Sequence, residues 1–544
     1  MFRGIKLRQS QIVIFCTSFI AGLLSILHLV IGYAKTPADS IYLWIPHYYL
    51  DYFVFVGGIA QGMRGNWFFE NPYSVKDSSK TIMAWWQYIF YGKFASFFHL
   101  SPMIVYAVTI FLLSFISIWL MYFIIRRILS DSHFLIQLAA LIFSLSAGPF
   151  FKLSNVKGSF PIIPFNFWQS PATFFDRFDP IPHHLLGMVF SLVLILLVGK
   201  TLDKIEDISL GQALLTAVLQ AFIIIFMLTF SPFQALIFLI ALIVIGLLHI
   251  FRLKFQGLLY IFIILFLVVP AAVLLKMHHQ QIPMLLLSSR ADQGYQLHPS
   301  LKDILLTTGP ILVFVPFGLW LYFKKLSPTR WLLFLFVVSS YFLFSTNLAY
   351  YLGSHNLRFL TPLSYLFFGV LSLLGMIQIG RLLPKMGKWI VFPGAIIILL
   401  LFLPANILTF YVRLIDKNIF TETVYLKKNI VEGFQFIDSV KDNKAVLTTP
   451  SVFMGAILPI FVDKKVYLGR HSFTPDYEER QTTVSHFYNG WIKAQEAEAI
   501  LNRNNIGYII LTSMEGFKID PLLRYPFLQE VYRNKDVIVF RVKK

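Results

Sequence analysis

The sequence predicts an α-helical polytopic membrane protein of about 11 transmembrane helices with a C-terminal extracytoplasmic α/β domain. Three observations carry this. The 544 residues are 57% hydrophobic, 17% aromatic and only 13% charged, too apolar for a soluble surface. Apolar runs long enough to cross a bilayer recur through residues 1–410. From Asp416 onward the pattern changes to short, alternating helix and strand signals.

The apolar runs begin near Ile12, Met103, Phe134, His184, Leu210, Phe233, Phe255, Ile304, Trp331, Leu360 and Trp389. The first is long for a signal-peptide core and the following GYAKT is a poor cleavage site, so a retained span is expected. Arg3, Lys6 and Arg8 precede it. Basic clusters then fall in every second loop: Arg126/Arg127, Lys200/Lys204, Arg252/Lys254, Lys324/Lys325/Arg330 and Arg381/Lys385/Lys388. The positive-inside rule assigns the N-terminus and these loops to the cytoplasm of a cell membrane. Loops 34–102, 151–183, 276–303 and 347–359 then face outward, with the tail. Residues 1–415 are thus expected to form a transmembrane domain carrying the large loop 34–102, and residues 416–544 an outer α/β domain.

In the tail, TETVYLKKNIVEGFQFIDSV has helical periodicity, and AVLTT, VYLG, GYIILT and VIVFRV are strand-like. IKAQEAEAILNRNN reads as an amphipathic helix. TPDYEERQ is explained by a turn and a capped helix start, and no catalysis is assigned to it.

Composition excludes several classes. The single cysteine, Cys16, rules out an intrachain disulfide framework or cysteine metal cluster. Residues 1–410 carry 27 Lys/Arg against 12 Asp/Glu, whereas residues 411–544 carry 19 against 15. The basic excess therefore sits in the membrane part, where topology and anionic lipids account for it better than nucleic acid. None of the twelve acids falls in the middle of a span, which weighs against an ion-coupled carrier.

The polar chemistry gathers in the outward loops. DYFVFVGGIAQGMRGNWFFENPYS offers Asp51, Gln61, Arg64 and Glu70. Phe53, Val56 and Ile59/Ala60 fit a helix lying along the interface, with Trp67, Trp85 and Trp86 at headgroup depth. Asp51 stands at the start of that helix, either as a functional carboxylate or as a helix cap. In FFDRFDPIPHHLLG, Asp176, Arg177, Asp179, His183 and His184 lie within nine residues. Such a cluster suits a divalent metal or a phosphate, though it is more often a solvated loop with an internal salt bridge. Arg358, beside His355 in GSHNLRFLTP, and Arg290 in LLSSRADQGY stand at span mouths. Either can snorkel to headgroups or clamp a lipid phosphate.

A short basic N-terminus, one span, a long loop with an early Asp, YFVFVGGIAQGMRGNWFFENPYS, a late Arg at a helix mouth and an outer α/β tail together resemble the GT-C class of membrane glycosyltransferases. That class includes protein mannosyltransferases, aminoarabinose transferases and oligosaccharyltransferases. The resemblance covers the architecture of the whole chain; at residue level it lies in the first loop and more loosely in FDPIPHH and HNLRF. It implies inverting transfer of a sugar from a polyprenyl-phosphate donor to a hydroxyl of a glycan, lipid or protein acceptor. It also implies an outward carboxylate as general base and cations on the leaving phosphate. Many members pair two acids in this loop, whereas here Asp39 and Asp51 are twelve residues apart. Asp51 is the first candidate for the base and Asp39 the second. His47 and Arg64 are candidates to orient substrate, and Arg358, Arg290, His355 and Arg177 to bind phosphate. A divalent metal on Asp176, Asp179 and His183 stays open. The competing readings are a transporter or flippase for a lipid-linked saccharide, which needs a polar path through the spans, and a non-enzymatic assembly protein, in which Asp51 would be dispensable.

Overall fold

The computed structural model describes residues 2–81, 83–153, 162–167, 171–178, 181–248, 255–325, 327–383, 387–415 and 424–543. The Arg252/Lys254 cluster and Lys385 fall outside them. Among the described residues seven helices are long and apolar enough to cross a membrane: Gln9–Ala34, Pro102–Ile128, Pro182–Asp203, Leu210–Leu228, Phe255–Gln281, Leu363–Leu382 and Val391–Leu414. An eighth, the pair Leu301–Thr308 and Pro310–Lys324, is bent by 98°. The remaining three expected spans are helices too, but shorter: Phe134–Ser146, Pro232–Leu248 and Pro328–Phe344. At 1.5 Å per residue, 17 residues reach only about 25 Å. The chain is a multi-pass membrane protein.

By its internal contacts the chain divides into two units. The first comprises Met1–Leu27, Thr109–Leu275 and Asp292–Asp416. Its helices expose apolar side chains outward, among them Leu215, Phe222, Phe262 and Phe266, as a lipid-facing surface requires. Helices here approach closely where side chains vanish. A Cβ on Gly318 would overlap the carbonyl oxygen of Leu371, and one on Gly375 that of Phe314, the small-residue contact typical of membrane helix pairs.

The second unit comprises His28–Val108, Lys276–Ala291 and Lys417–Lys544. The loop 34–102, grouped with residues 1–415 on sequence, thus packs with the tail. Strand Ser40–Tyr42 pairs antiparallel with Tyr425–Lys427. Helix Tyr49–Met63 packs on Trp86–Phe97 and on Val452–Phe461. It is not an interfacial helix: Leu50 and every residue from Tyr52 to Gly62 is buried. The tail builds a four-stranded sheet in the order Ala445–Leu447, Ile506–Thr512, Val537–Val542, Leu528–Arg533. The first pair is parallel and the others antiparallel. Ile506–Thr512 is buried along its whole length, as its unbroken apolar run demands of a strand covered on both faces. The expected strand at VYLG reduces to one bridge, Val466 to Val446.

Cβ atoms on Gly62 and Gly92 would overlap the carbonyl oxygens of Ile89 and Ile59, so Gly92→Val must separate the two loop helices. It should cost at least the ~1–3 kcal/mol of an overpacked contact, measurable as a lower midpoint of thermal unfolding in detergent. Glu515, in the turn after the central strand, has its carboxyl pushed up to about 7 by burial, against hydrogen bonds from Thr449, Ser451 and Thr512 that oppose the shift. The folded protein therefore keeps a proton that the unfolded chain has lost, and stability falls as pH rises through the window from 4.5 to about 7. Glu515→Gln should flatten that slope in unfolding scans taken between pH 5 and pH 8.

Candidate functional site

In the second unit Asp51 lies in the first turn of helix Tyr49–Met63, whose N-cap is Tyr48. It is therefore not the cap residue. Its carboxylate, 27% exposed, meets the guanidinium of Arg470 from the tail, Oδ1 to Nη2 at 2.5 Å. The Tyr48 ring covers that guanidinium, 5.3 Å from its central carbon. Arg470 was not a candidate on sequence, because nothing in GRHSFTP distinguishes it from any other loop arginine. His47 hydrogen-bonds Tyr106, Nε2 to Oη at 2.8 Å, within a ring cluster that includes Tyr52 and Phe55. Asp39 is exposed at the head of the strand pair. Its carboxylate accepts from Ser40 Oγ at 3.0 Å and its carbonyl from the Lys428 amide at 2.8 Å.

Arg64 is engaged in packing. Its Nη1 and Nη2 donate to the carbonyls of Pro459 and Ile460 at 2.9 and 2.8 Å, closing the C-terminus of helix Val452–Phe461, where a cation is favoured. Burial lowers its pKa, although Asp463 and Asp438 oppose the shift. Arg290 is exposed on helix Pro283–Gln293 and makes no ion pair among the described residues.

In the first unit a separate cluster forms around Arg358. Its Nη2 pairs with Asp292 Oδ2 at 3.0 Å and its Nη1 lies 2.9 Å from His184 Nε2. Facing a permanent donor, that Nε2 must carry the lone pair, which fixes His184 as the neutral Nδ1–H tautomer. Ser354 Oγ donates to the same Asp292 oxygen at 3.1 Å. Asn356 and Gln296 tie the segment to Leu297 and Ser354, so Arg358 and Asp292 sit on mutually braced backbone. His355 is buried, and burial, then the charge of Arg358, pushes its pKa down to about 4. It is neutral at physiological pH.

The FFDRF cluster resolves differently. Arg177 is 3% exposed. Its Nε donates to the carbonyl of Pro171, Nη1 to those of Ser144 and Leu145, and Nη2 to those of Ala147 and Ala172. It also stacks over Tyr365. Five carbonyls use all five N–H groups, leaving none for a phosphate. Burial brings its pKa down to about 10. Asp176 accepts from Thr173 Oγ1 at 2.7 Å and faces Arg413 at 3.8 Å. His183 stacks edge-on against His184 at 4.4 Å. Asp179 lies outside the described residues. Among the described residues no three His, Cys, Asp or Glu side chains gather as a metal site, and Asp176 is engaged by Thr173 and Arg413.

This architecture, a helical membrane part with a small α/β tail, is the fold of the GT-C membrane glycosyltransferases. No family model matches the sequence, and no curated protein matches it. Solved structures that share the fold include three glycosyltransferases. ArnT from Cupriavidus metallidurans bound to undecaprenyl phosphate is 10% identical over 98% of each chain, with a TM-score of 0.52. The Archaeoglobus fulgidus oligosaccharyltransferase tethered with an acceptor peptide is 10% identical over 92% of this chain and 69% of its own, TM-score 0.51. The arabinofuranosyltransferase AftD from Mycobacteria is 12% identical over 96% of this chain, TM-score 0.55; the match covers 41% of AftD.

Arg177→Met should therefore lower stability by about 3–5 kcal/mol, because the carbonyls it serves stay buried. The midpoint of thermal unfolding in detergent reads that loss.

Proposed function

We propose that the chain is an inverting glycosyltransferase that moves a sugar from a polyprenyl-phosphate donor to an acceptor hydroxyl at the outer face of the membrane. The reading rests on one observation above all: within a GT-C fold, the loop carboxylate Asp51 is held on a largely buried helix and opposed by a guanidinium. A residue needed only for solubility would not be braced in this way. The occurrence of undecaprenyl phosphate in ArnT supports a donor of the same chemistry. The charge pattern of the loops supports a cytoplasmic N-terminus and an outward tail, with residues 1–415 as the membrane domain and 416–544 as the outer domain.

The roles are as follows. Asp51 takes the proton of the acceptor hydroxyl as general base. The oxygen attacks the anomeric carbon from the face opposite the phosphate. The bond from that carbon to the phosphate oxygen breaks, and its electron pair stays on the phosphate. Arg358, steadied by Asp292 and His184, has the planar fork that suits a phosphate. The neutral imidazole of His355 orients an oxygen without adding charge.

Asp51→Asn should lower transfer from a polyprenyl-phosphate sugar by about 10²–10⁴-fold, the usual contribution of a general base, with folding and membrane insertion unchanged. Release of polyprenyl phosphate by the purified protein measures it. Equal rates for parent and variant would remove Asp51 as the base.

A further inference from the structure

Several arginines among the described residues are closely matched to their partners. Arg177 places five N–H groups on five carbonyls, Arg64 caps a helix with two, and Arg533 engages Glu530 through both Nε and Nη2. Arg470 departs from this pattern. It is 9% exposed and meets Asp51 through Nη2. Its Nε and Nη1 are buried with no hydrogen-bond partner among the described residues. A buried donor left unmatched is destabilising, and more so on a charged group.

Slack in the backbone does not explain this. The Val466 amide donates to the Pro72 carbonyl at 2.9 Å, and the Arg470 carbonyl accepts from the amides of Phe473 and Thr474 at 3.0 and 2.9 Å. Gly469 lies so close to Tyr73 that a Cβ there would overlap its ring. Arg470 is thus fixed in place, one nitrogen on the carboxylate and two buried nitrogens unmatched. The next residue, His471, adds no competing positive charge, since burial, then the Arg470 charge, lowers its pKa.

We propose that Arg470 is an oxyanion seat: Nη2 positions Asp51 while Nε and Nη1 bind an anionic oxygen, phosphate or carboxylate, of the substrate. The inference rests on the reading of Asp51 as the base and extends it. When Asp51 accepts the hydroxyl proton it becomes neutral, and the guanidinium loses its counter-charge. In the same step the departing phosphate gains one negative charge. Arg470 is then a cation without its partner at the moment a new anion forms, which is differential stabilisation of the kind that accelerates a reaction. The anionic oxygen can come from the donor phosphate or from an acidic acceptor.

The test uses the full-length protein in phosphatidylcholine nanodiscs and reads binding, so that no turnover is needed. The probes are a polyprenyl monophosphate, the matching polyprenol, and a methyl glucuronide as the carboxylate source. Arg470→Gln should weaken the polyprenyl monophosphate by roughly tenfold or more and leave the polyprenol unchanged. A comparable loss confined to the glucuronide would place the seat on the acceptor side and equally support it. Unchanged binding of both anions would overturn it. Should Arg470→Gln fail to fold, Arg470→Lys keeps the charge but not the fork and must still show a loss of anion binding. A protein that binds anions through Arg470 yet transfers no sugar refutes the glycosyltransferase reading alone. Normal anion binding and transfer in Arg470→Gln refute the seat alone.

Discussion

The structure of the second unit depends on the burial of helix Tyr49–Met63 from all sides. One helix, Trp86–Phe97, reaches it through Gly62 and Gly92, where the backbones touch. Another, Val452–Phe461, comes from the tail and is closed by the Arg64 fork. Gly455 brings the start of that tail helix against the carbonyl of Leu468, two residues before Arg470. The same interlock that hides an apolar helix from water therefore sets the distance between Asp51 and its guanidinium. Packing and electrostatics are here one constraint, since a shift in the first displaces the second.

How much of this could be read beforehand depended on whether the signal was local. The membrane helices were legible because span length and apolarity are properties of a continuous stretch, and so was the tail, where GYIILT and VIVFRV formed strands almost as delimited. VFMGAILPIF was missed as a helix because ten apolar residues fit a buried strand as well as a buried helix. The polar edge strand Leu528–Arg533 carries no apolar alternation strong enough to announce it. The loop helix was recognised but its environment was misread: residues that fit an interfacial stripe were in fact covered all round by a partner near the other end of the chain.

Side-chain roles were the least legible part. Arg177 and Arg358 both sit beside an acid or a histidine in aromatic, loop-like sequence, and both read as phosphate ligands. The difference appears only on counting donors. The first places every N–H on a backbone carbonyl, while the second shares its guanidinium with one carboxylate and one imidazole on a half-exposed surface. Arg470 inverts the lesson. It drew no attention in sequence, because its partner Asp51 is remote in the chain, and a contact of that span leaves no trace in composition or spacing.

The Arg64 fork has a consequence for how the protein is made. Arg64 and Ile460 are separated by 396 residues. At about 5–20 residues per second of synthesis, the loop helix waits roughly 20–80 seconds for the segment that covers it. Through that interval its apolar faces are open while several membrane helices are still being inserted. Cells producing this chain must shield that helix, by chaperone or by the bilayer surface, until the tail arrives. A truncation near residue 440 would leave the interval without end, so premature termination late in the chain should be far more harmful than the distance from the membrane domain suggests.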